Sequence, residues 1–401
     1  GFPLDVPEKL FPPVLIDQVH RSLVDSQDIE VVLGDLHDDV DQRIADTVDL
    51  WALLFHAPML PVFPHCFNWI VNWDIPLYHG DMGSYIVDGA RPLEGHITIS
   101  GNKNAALPCI AASLLTDDPV ILHNIPVIED VSVMLDLLRF LGSEATWIDS
   151  NSLRIVSSGI SQRKKDLLPP HLVDAIRASI LLAGPLVARV GSVQLPPPGG
   201  DVIGFRRLDT HFLALESLGS SCRISSDGYL DIKAQRLIGN SVFLDEASVT
   251  GTENVIMAAV LAEGTTTISN AASEPHVQDL CLMLVSMGAR IAGIGSNLLT
   301  IEGVGRLFGT DYRIGPDYME VGSFIGLAAA TKGEIVLEGV DPRHLSMISK
   351  GFERIGVGWQ VTGPSTLLIP KGQSRVIRKT VSGQTHKIDD APWPGFPADL
   401  L

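Results

Sequence analysis

From Met82 onward the chain repeats itself about every 70 residues, which restricts it to architectures assembled from copies of one supersecondary unit. Each unit opens with a polar or charged residue leading a helix rich in small side chains. A short β-branched strand follows, then an amphipathic helix ending in a hydrophobic residue plus Gly, then another strand. The spacing predicts helix starts at Lys103, Arg177, Ser248, Asp317 and Asp399, separated by 74, 71, 69 and 82 residues. The second helices are expected to end at Leu141-Gly142, Leu218-Gly219, Met287-Gly288 and Ile355-Gly356. Gly just past an apolar periodic stretch is the usual left-handed terminator. Val120–Asn124, Thr267–Asn270 and Ile335–Glu338 are short and β-branched enough for strands. Four full units and the opening of a fifth are expected, so a chain ending at Leu401 is expected to be cut short as a helix begins.

Residues 1–81 have a different texture, with 14 Asp and Glu against 3 Lys and Arg and no readable motif. Met82 to Gly89 reads like a natural protein start leading into a strand. The acidic stretch is therefore expected to be an N-terminal extension of separate origin, the alternative being a genuine accessory region. Trp51 to Trp73 is apolar, but Pro58, Pro61, Pro64, His56 and His65 argue against a membrane helix. No secretory leader pattern is seen. The formal net charge of −18 argues against a nucleic-acid partner and requires any phosphate site to concentrate a few placed Lys and Arg side chains. Cys66, Cys109, Cys222 and Cys281 form no CxxC pair, which points to reduced thiols in a cytoplasmic protein rather than zinc or a disulfide framework.

Ser100-Gly101-Asn102-Lys103-Asn104-Ala105-Ala106-Leu107-Pro108 places a Lys at a strand-to-helix turn. Helix N-termini favour anions and a Lys adds a full positive charge, although such a Lys taken alone is more often a solvated surface residue. Read in order with this run, several others resemble one family. They are Arg177-Ala178-Ser179-Ile180, Gly184-Pro185-Leu186-Val187-Ala188-Arg189, Pro198-Gly199-Gly200-Asp201 through Arg206-Arg207, Ala262-Glu263-Gly264-Thr265-Thr266 and Phe396-Pro397-Ala398-Asp399. The family is the UDP-N-acetylglucosamine 1-carboxyvinyltransferases, and the resemblance covers residues 83–401. It implies an inside-out α/β barrel of the enolpyruvyl transferase type in two domains of three repeats. One domain would comprise 103–315, and the other, incomplete here, 83–102 plus 316–401.

The resemblance implies transfer of the enolpyruvyl group of phosphoenolpyruvate to the 3-hydroxyl of UDP-N-acetylglucosamine, an early step of peptidoglycan synthesis, with no cofactor and no metal. It implies that Lys103 and Arg206 hold phosphoenolpyruvate, with Arg177 lining the anion site and touching the UDP-sugar. Asn104, the stretch Arg206, Arg207, Leu208, Asp209 and Thr210, and the stretch Glu246, Ala247, Ser248 and Val249 correspond to UDP-sugar contacts. Asp399 matches a carboxylate at the sugar hydroxyl and is a candidate base; it could equally be a helix N-cap, or both.

Asp201 stands where the family usually has Cys and some members have Asp, serving as the acid. It lies in the Pro- and Gly-rich stretch Pro196-Pro197-Pro198-Gly199-Gly200-Asp201, which suits a mobile lid. An Asp must be protonated to donate, so closure is expected to desolvate it and raise its pKa. Insensitivity to epoxides that alkylate a thiol is expected, and covalent labelling of Asp201 by such an epoxide would refute it. Arg207 occupies a position where Pro is common, and Thr250 one where Gly is common, so the acceptor could differ. Enolpyruvyl transfer to another uridine nucleotide such as UMP is one alternative, and a non-catalytic UDP-sugar-binding homologue is another. Joint retention of Lys103, Arg177, Arg206, Asp201 and Asp399 speaks against the latter. This chain alone, lacking the remaining repeats, is expected to be inactive.

Overall fold

The computed structural model describes residue 89 and residues 91–160, 168–200 and 207–401. All of them belong to one compact unit, Pro61–Leu401. The acidic stretch and the Trp51–Trp73 segment lie outside the described residues, as do Asp201 and Arg206.

The repeat is visible as a recurring order of elements. Strand β1 (Glu94–Thr98) leads in. The first unit holds helix α1 (Lys103–Ala112), β2 (Val120–His123), α2 (Glu129–Phe140), β3 (Glu144–Trp147) and β4 (Leu153–Val156). The second holds α3 (Pro170–Ala175), a 3₁₀ segment Arg177–Leu182, α4 (Ala183–Val190), β5 (Ser192–Leu195), α5 (Asp209–Ser217), β6 (Ser221–Ile224), β7 (Leu230–Lys233) and β8 (Ser241–Phe243). The third holds α6 (Val249–Ala259), β9 (Thr265–Ser269), α7 (Pro275–Ser286), β10 (Arg290–Ala292), β11 (Leu298–Glu302) and β12 (Thr310–Arg313). The fourth holds α8 (Tyr318–Thr331), β13 (Glu334–Glu338), α9 (Ser346–Arg354), β14 (Gln360–Gly363) and β15 (Thr366–Ile369).

Three of the four sheets share one topology, in which a strand from outside a unit lies parallel to that unit's first strand and the other two add antiparallel. The orders are β12-β2-β4-β3, β8-β9-β11-β10 and β1-β13-β15-β14. The remaining sheet is β5-β7-β6. Because β12 returns to pair with β2, with Thr310 opposite Val120, the first three units close on themselves. β1 instead pairs with β13, Glu94 opposite Glu334, and so belongs with the fourth unit.

The two helices of a unit play different parts. In α1 every residue from Ala105 to Ala112 is buried, and in α6 every residue from Gly251 to Ala259. A helix buried on all sides needs small or apolar side chains nearly all round, which α1 supplies with four Ala, while α6 also buries Thr252, Glu253 and Asn254. Helices α2 and α7 bury one face, chiefly against α1. Each second helix ends in a Gly with positive φ, at Gly142, Gly219, Gly288 and Gly356. Each also closes with the paired bonds of a Schellman motif, for example Ser143 N–H to Leu138 O and Gly142 N–H to Arg139 O, both at 3.0 Å.

Two expected helix starts need correction. At Arg177 the chain forms the 3₁₀ segment, and the α-helix begins only at Ala183. Pro185 lacks an N–H and clashes with the carbonyl four residues before it, so it belongs in the first turn of a helix. A helix begun at Arg177 would place it in the interior; one begun at Ala183 does not. At Asp399 there is a three-residue 3₁₀ turn, Ala398–Leu400, with Asp399 inside it and Pro397 in the capping position. Within this turn Asp399 does not occupy the capping position.

Candidate active site

The site is built where the buried first helices begin. Their far ends meet around one cavity, lined by Leu115 and Thr116 after α1, Ala188 and Arg189 at the end of α4, and Leu261 and Ala262 after α6. The opposite ends, carrying Lys103, Arg177 and Ser248, consequently gather on the other side of the bundle. The first-turn backbone N–H groups of α1 and α6 supply partial positive charge at this end.

At α1, Asn102 caps the helix by accepting from the Ala105 N–H at 3.2 Å, which orients the next residue, Lys103, outward. Lys103 Nζ lies 3.6 Å from Asp130 Oδ1, both half-buried. Asn104 beside it is exposed. Pro108 cannot donate to the Asn104 carbonyl, so this turn of α1 also lacks a ladder bond. Asp317 caps α8, accepting from Met319 N–H at 2.9 Å and Glu320 N–H at 3.3 Å. Burial raises its carboxyl above the ordinary range, against those N–H groups, the Lys103 backbone and the Lys103 charge. Lys103 therefore stands between two carboxylates, neither of which the sequence assigned to the site.

At the second unit, Arg177 Nη1 donates to the Pro198 carbonyl at 3.1 Å. Gly199 N–H donates to Val173 O at 3.3 Å and Gly200 N–H to Asp174 O at 2.9 Å. The fit excludes any side chain, since a Cβ on Gly199 would fall 1.9 Å from Asp174 O, and Gly200 has φ +87°. The segment that leads into Asp201 is thus docked on the Arg177 turn. The chain is next described at Arg207, which is exposed and bonds Asp209 through Nε at 3.1 Å and Asp245 through Nη2 at 3.0 Å. Leu208 precedes α5 without a side-chain cap, and Asp209 opens the helix. Thr210 Oγ1 donates to Asp245 Oδ1 at 3.0 Å, and that bond, with Arg207 adding to it, holds the Asp245 carboxyl below its usual pKa. Arg207 and Thr210 thereby fasten the start of α5 to the segment entering α6. In that segment Glu246 is exposed, Ala247 and Val249 are half-buried, and Ser248 caps α6 by accepting from Gly251 N–H at 3.1 Å.

Asp399 is exposed, and its charge acts on Tyr318, whose hydroxyl it helps hold in the protonated form after burial and the nearer carboxylates Glu274 and Asp317. Asp399 thus lies on the same side as Asp317 and Lys103. The structure brings Lys103, Arg177, Arg207 to Thr210, Ser248 and Asp399 to one end of the bundle. Sequence reading missed His211, which is buried behind Arg177 and carries a pKa pushed down to about 4 by burial and then by the Arg177 charge. It also missed Asn254, fully buried in α6. Neither has a spacing signal; their contacts span 43 residues.

Residues 87–401 match the EPSP synthase (3-phosphoshikimate 1-carboxyvinyltransferase) family. The chain is 56% identical over 319 residues to the UDP-N-acetylglucosamine 1-carboxyvinyltransferase of Treponema denticola, covering 80% of this chain and 74% of that protein. The chain belongs to the UDP-N-acetylglucosamine 1-carboxyvinyltransferase family. Another member, from Bradyrhizobium diazoefficiens, is 51% identical over 79% of this chain and 72% of its own. Solved structures with the same fold include the enolpyruvyl transferase NikO from Streptomyces tendae, at TM-score 0.62 and 23% identity, covering 70% of this chain and 66% of that one. EPSP synthase from Acinetobacter baumannii aligns at TM-score 0.56 and 19% identity, over 71% of this chain and 66% of that one. The family's α/β architecture of repeated units is therefore the fold of this chain, which spans about three quarters of the curated relatives it matches and 66% of these solved chains.

Proposed function

We propose that this chain belongs to an enzyme that transfers the enolpyruvyl group of phosphoenolpyruvate to the 3-hydroxyl of UDP-N-acetylglucosamine, releasing phosphate. The observation that carries the reading is the 51–56% identity to enzymes named for that reaction, extending across residues that gather at one end of the helix bundle. Lys103 and Arg206 would hold the phosphate and carboxylate of phosphoenolpyruvate, with Arg177 beside them. Asn104, Arg206 to Thr210 and Glu246 to Val249 would receive the nucleotide sugar, and Asp399 would take the hydroxyl proton. The sugar oxygen then forms a bond to C2 of the enol while Asp201 delivers its proton to C3. In the second half the C2–O bond to phosphate breaks, phosphate leaves, and loss of a proton from C3 restores the double bond. Both charged ends of the substrate need fixed cations, which Lys103, Arg177 and Arg206 would supply.

The proposed division into a domain of 103–315 and another of 83–102 plus 316–401 is supported by two separate hydrophobic clusters. One runs from Ala105 to Ile314, the other joins Ile97 and Ile99 to Tyr318 through Ile369. No helix among the described residues is long and apolar enough to cross a membrane. A cytoplasmic location is part of the proposal. Phosphate release, measured with both substrates on a protein containing this chain, should depend on UDP-N-acetylglucosamine; release with UMP but not with the sugar nucleotide would overturn the acceptor assignment.

A further inference from the structure

After β15 the chain runs to the final 3₁₀ turn without a further helix or strand, and its last stretch is pinned where it passes other elements. Phe396, 6% exposed, presses on α9, where a Cβ on Gly351 would fall 2.2 Å from its ring. Leu400 packs on α8, where a Cβ on Gly322 would fall 2.5 Å from its Cδ1. Two helix glycines are thus the sockets for the two apolar side chains that bracket Asp399. Upstream, the Gly395 N–H closes a tight loop on the Pro392 carbonyl at 2.8 Å, and the Ala391 N–H reaches the Phe396 carbonyl at 3.2 Å.

The tip of that loop is Trp393. Its ring stands edge-on to Tyr318 at 5.5 Å between centroids and to His344 at 6.2 Å, the geometry that aromatic quadrupoles favour. Its carbonyl accepts from Ser273 Oγ at 3.4 Å. Tyr318 opens α8, and His344 lies in the 3₁₀ turn Pro342–Leu345. On its other side Tyr318 stacks on His276, the second residue of α7, with the rings 12° from parallel. Trp393 therefore touches elements from both hydrophobic clusters. The line of contacts ends at the anion site, because Tyr318 follows Asp317, the buried carboxyl that feels the Lys103 charge. Asp399 is exposed, and among the described residues no hydrogen bond or ion pair holds its carboxylate. Where that carboxylate stands is consequently decided by its backbone. Phe396 and Leu400 fix the backbone to α9 and α8, and Trp393 refers it to the side that carries Lys103.

We propose that Trp393 is a positioning residue, which sets the candidate base Asp399 against the anion site by clasping its strap between Tyr318 and His344. The proposal rests on the transferase reading above and adds to it the device that places the base.

Phosphate-release kinetics on a protein containing this chain test it, with phosphoenolpyruvate and UDP-N-acetylglucosamine as substrates. Trp393→Ala should lower kcat about tenfold, because a base displaced by a fraction of an ångström is felt in the chemical step. KM for phosphoenolpyruvate, held by cations the strap does not carry, should stay within about twofold. Trp393→Phe keeps a flat ring on Tyr318 and His344 and should recover kcat to within about threefold of the parent. The deciding measurement is the cycle with Asp399→Asn. Once the base is gone its placement has no effect, so adding Trp393→Ala to Asp399→Asn should cost less than about twofold. An equal loss in both backgrounds, or a kcat unchanged in Trp393→Ala, would overturn the proposal. Should Trp393→Ala not fold, Trp393→Leu, which fills much of the space without a flat ring, enters the same cycle under the same criterion. A parent protein that releases no phosphate with both substrates fails the functional reading. A parent that turns over, with variants whose losses ignore Asp399, defeats this inference alone.

Discussion

Burial has made two histidines acid-sensitive. His211 and His276 are both held neutral, each with its pKa lowered from the ordinary 6.5 to about 4. His276 has burial as its cause, its Nδ1 has no hydrogen-bond partner among the described residues, and its ring stacks on Tyr318 with centroids 6.5 Å apart. Between these two pKa values the unfolded chain binds protons that the folded one does not, so stability rises with pH through that window. Going down from pH 7 to pH 5 should therefore cost roughly 2 kcal/mol for each histidine. Urea unfolding at the two pH values reads the loss, and His276→Phe should remove about half of the histidine-dependent part. A pH slope unchanged by that substitution would show that His276 is already charged or exposed in the folded state. Gly184 is a residue-scale requirement of another kind. A Cβ there would lie 2.4 Å from the Asn254 carbonyl oxygen and 2.9 Å from its Oδ1. Gly184→Ala should destabilise by about 1–3 kcal/mol, because α4 and α6 must part to admit it. An unchanged urea midpoint would mean that the two helices are not seated as closely as described.

Among the elements, the caps were the most legible part of the sequence. Leu-Gly, Met-Gly and Ile-Gly pairs marked the ends of α2, α5, α7 and α9 because only a left-handed residue completes the Schellman bonds, and Gly adopts that conformation without strain. Ser248 and Asp317 were legible as starts for the matching reason, as each places an oxygen on the orphan N–H groups of the turn it opens. Ser248→Ala should cost about 1 kcal/mol by leaving the Gly251 N–H unpaired, readable as a lowered urea midpoint. What escaped was decided by contacts distant in sequence or by competing local bonds. Ser179 Oγ bonds the carbonyls of Val173 and Ile176, and Pro185 refuses a helix interior, so the Arg177 turn winds as 3₁₀ although its composition resembles that of α1. The site was legible as a set of motif residues, but not as a network. Asp130 meets Lys103 only when the two helices of the first unit pack, and Asp317 beside Lys103 and the chain from Asn254 through His211 to Thr250 arise only when separate units come together.

At the scale of the whole described unit, the chain crosses between its two hydrophobic clusters at a pair of neighbouring segments. Asn102 N–H donates to Gly315 O and Asp317 N–H to Ser100 O, both at 2.9 Å, with Gly101 bridging Pro316 between them. Glu320, in the first turn of α8 and 5% exposed, clasps this crossing by accepting from the Ser100 N–H at 2.7 Å and its Oγ at 3.4 Å. Beyond the crossing, the clusters meet through a few ring contacts such as His276 on Tyr318, and through Ser273 donating to the Trp393 carbonyl at 3.4 Å. The first cluster has its own closure, β12 on β2, whereas the second needs β1, which reaches it from the far side of the crossing. Glu320→Ala leaves the half-buried Ser100 N–H without its acceptor and should cost about 1–2 kcal/mol. The loss should fall on the second cluster, because α8 and the end of β1 are the parts that Glu320 joins. Tryptophan reports the two separately: Trp147 packs against the first cluster, Trp359 and Trp393 against the second. In a fluorotryptophan-labelled Glu320→Ala chain, the native signals of Trp359 and Trp393 should disappear at lower urea than that of Trp147. If all three move together by the same amount, the two clusters unfold as one cooperative body, and the crossing is part of a continuous core rather than a joint between halves.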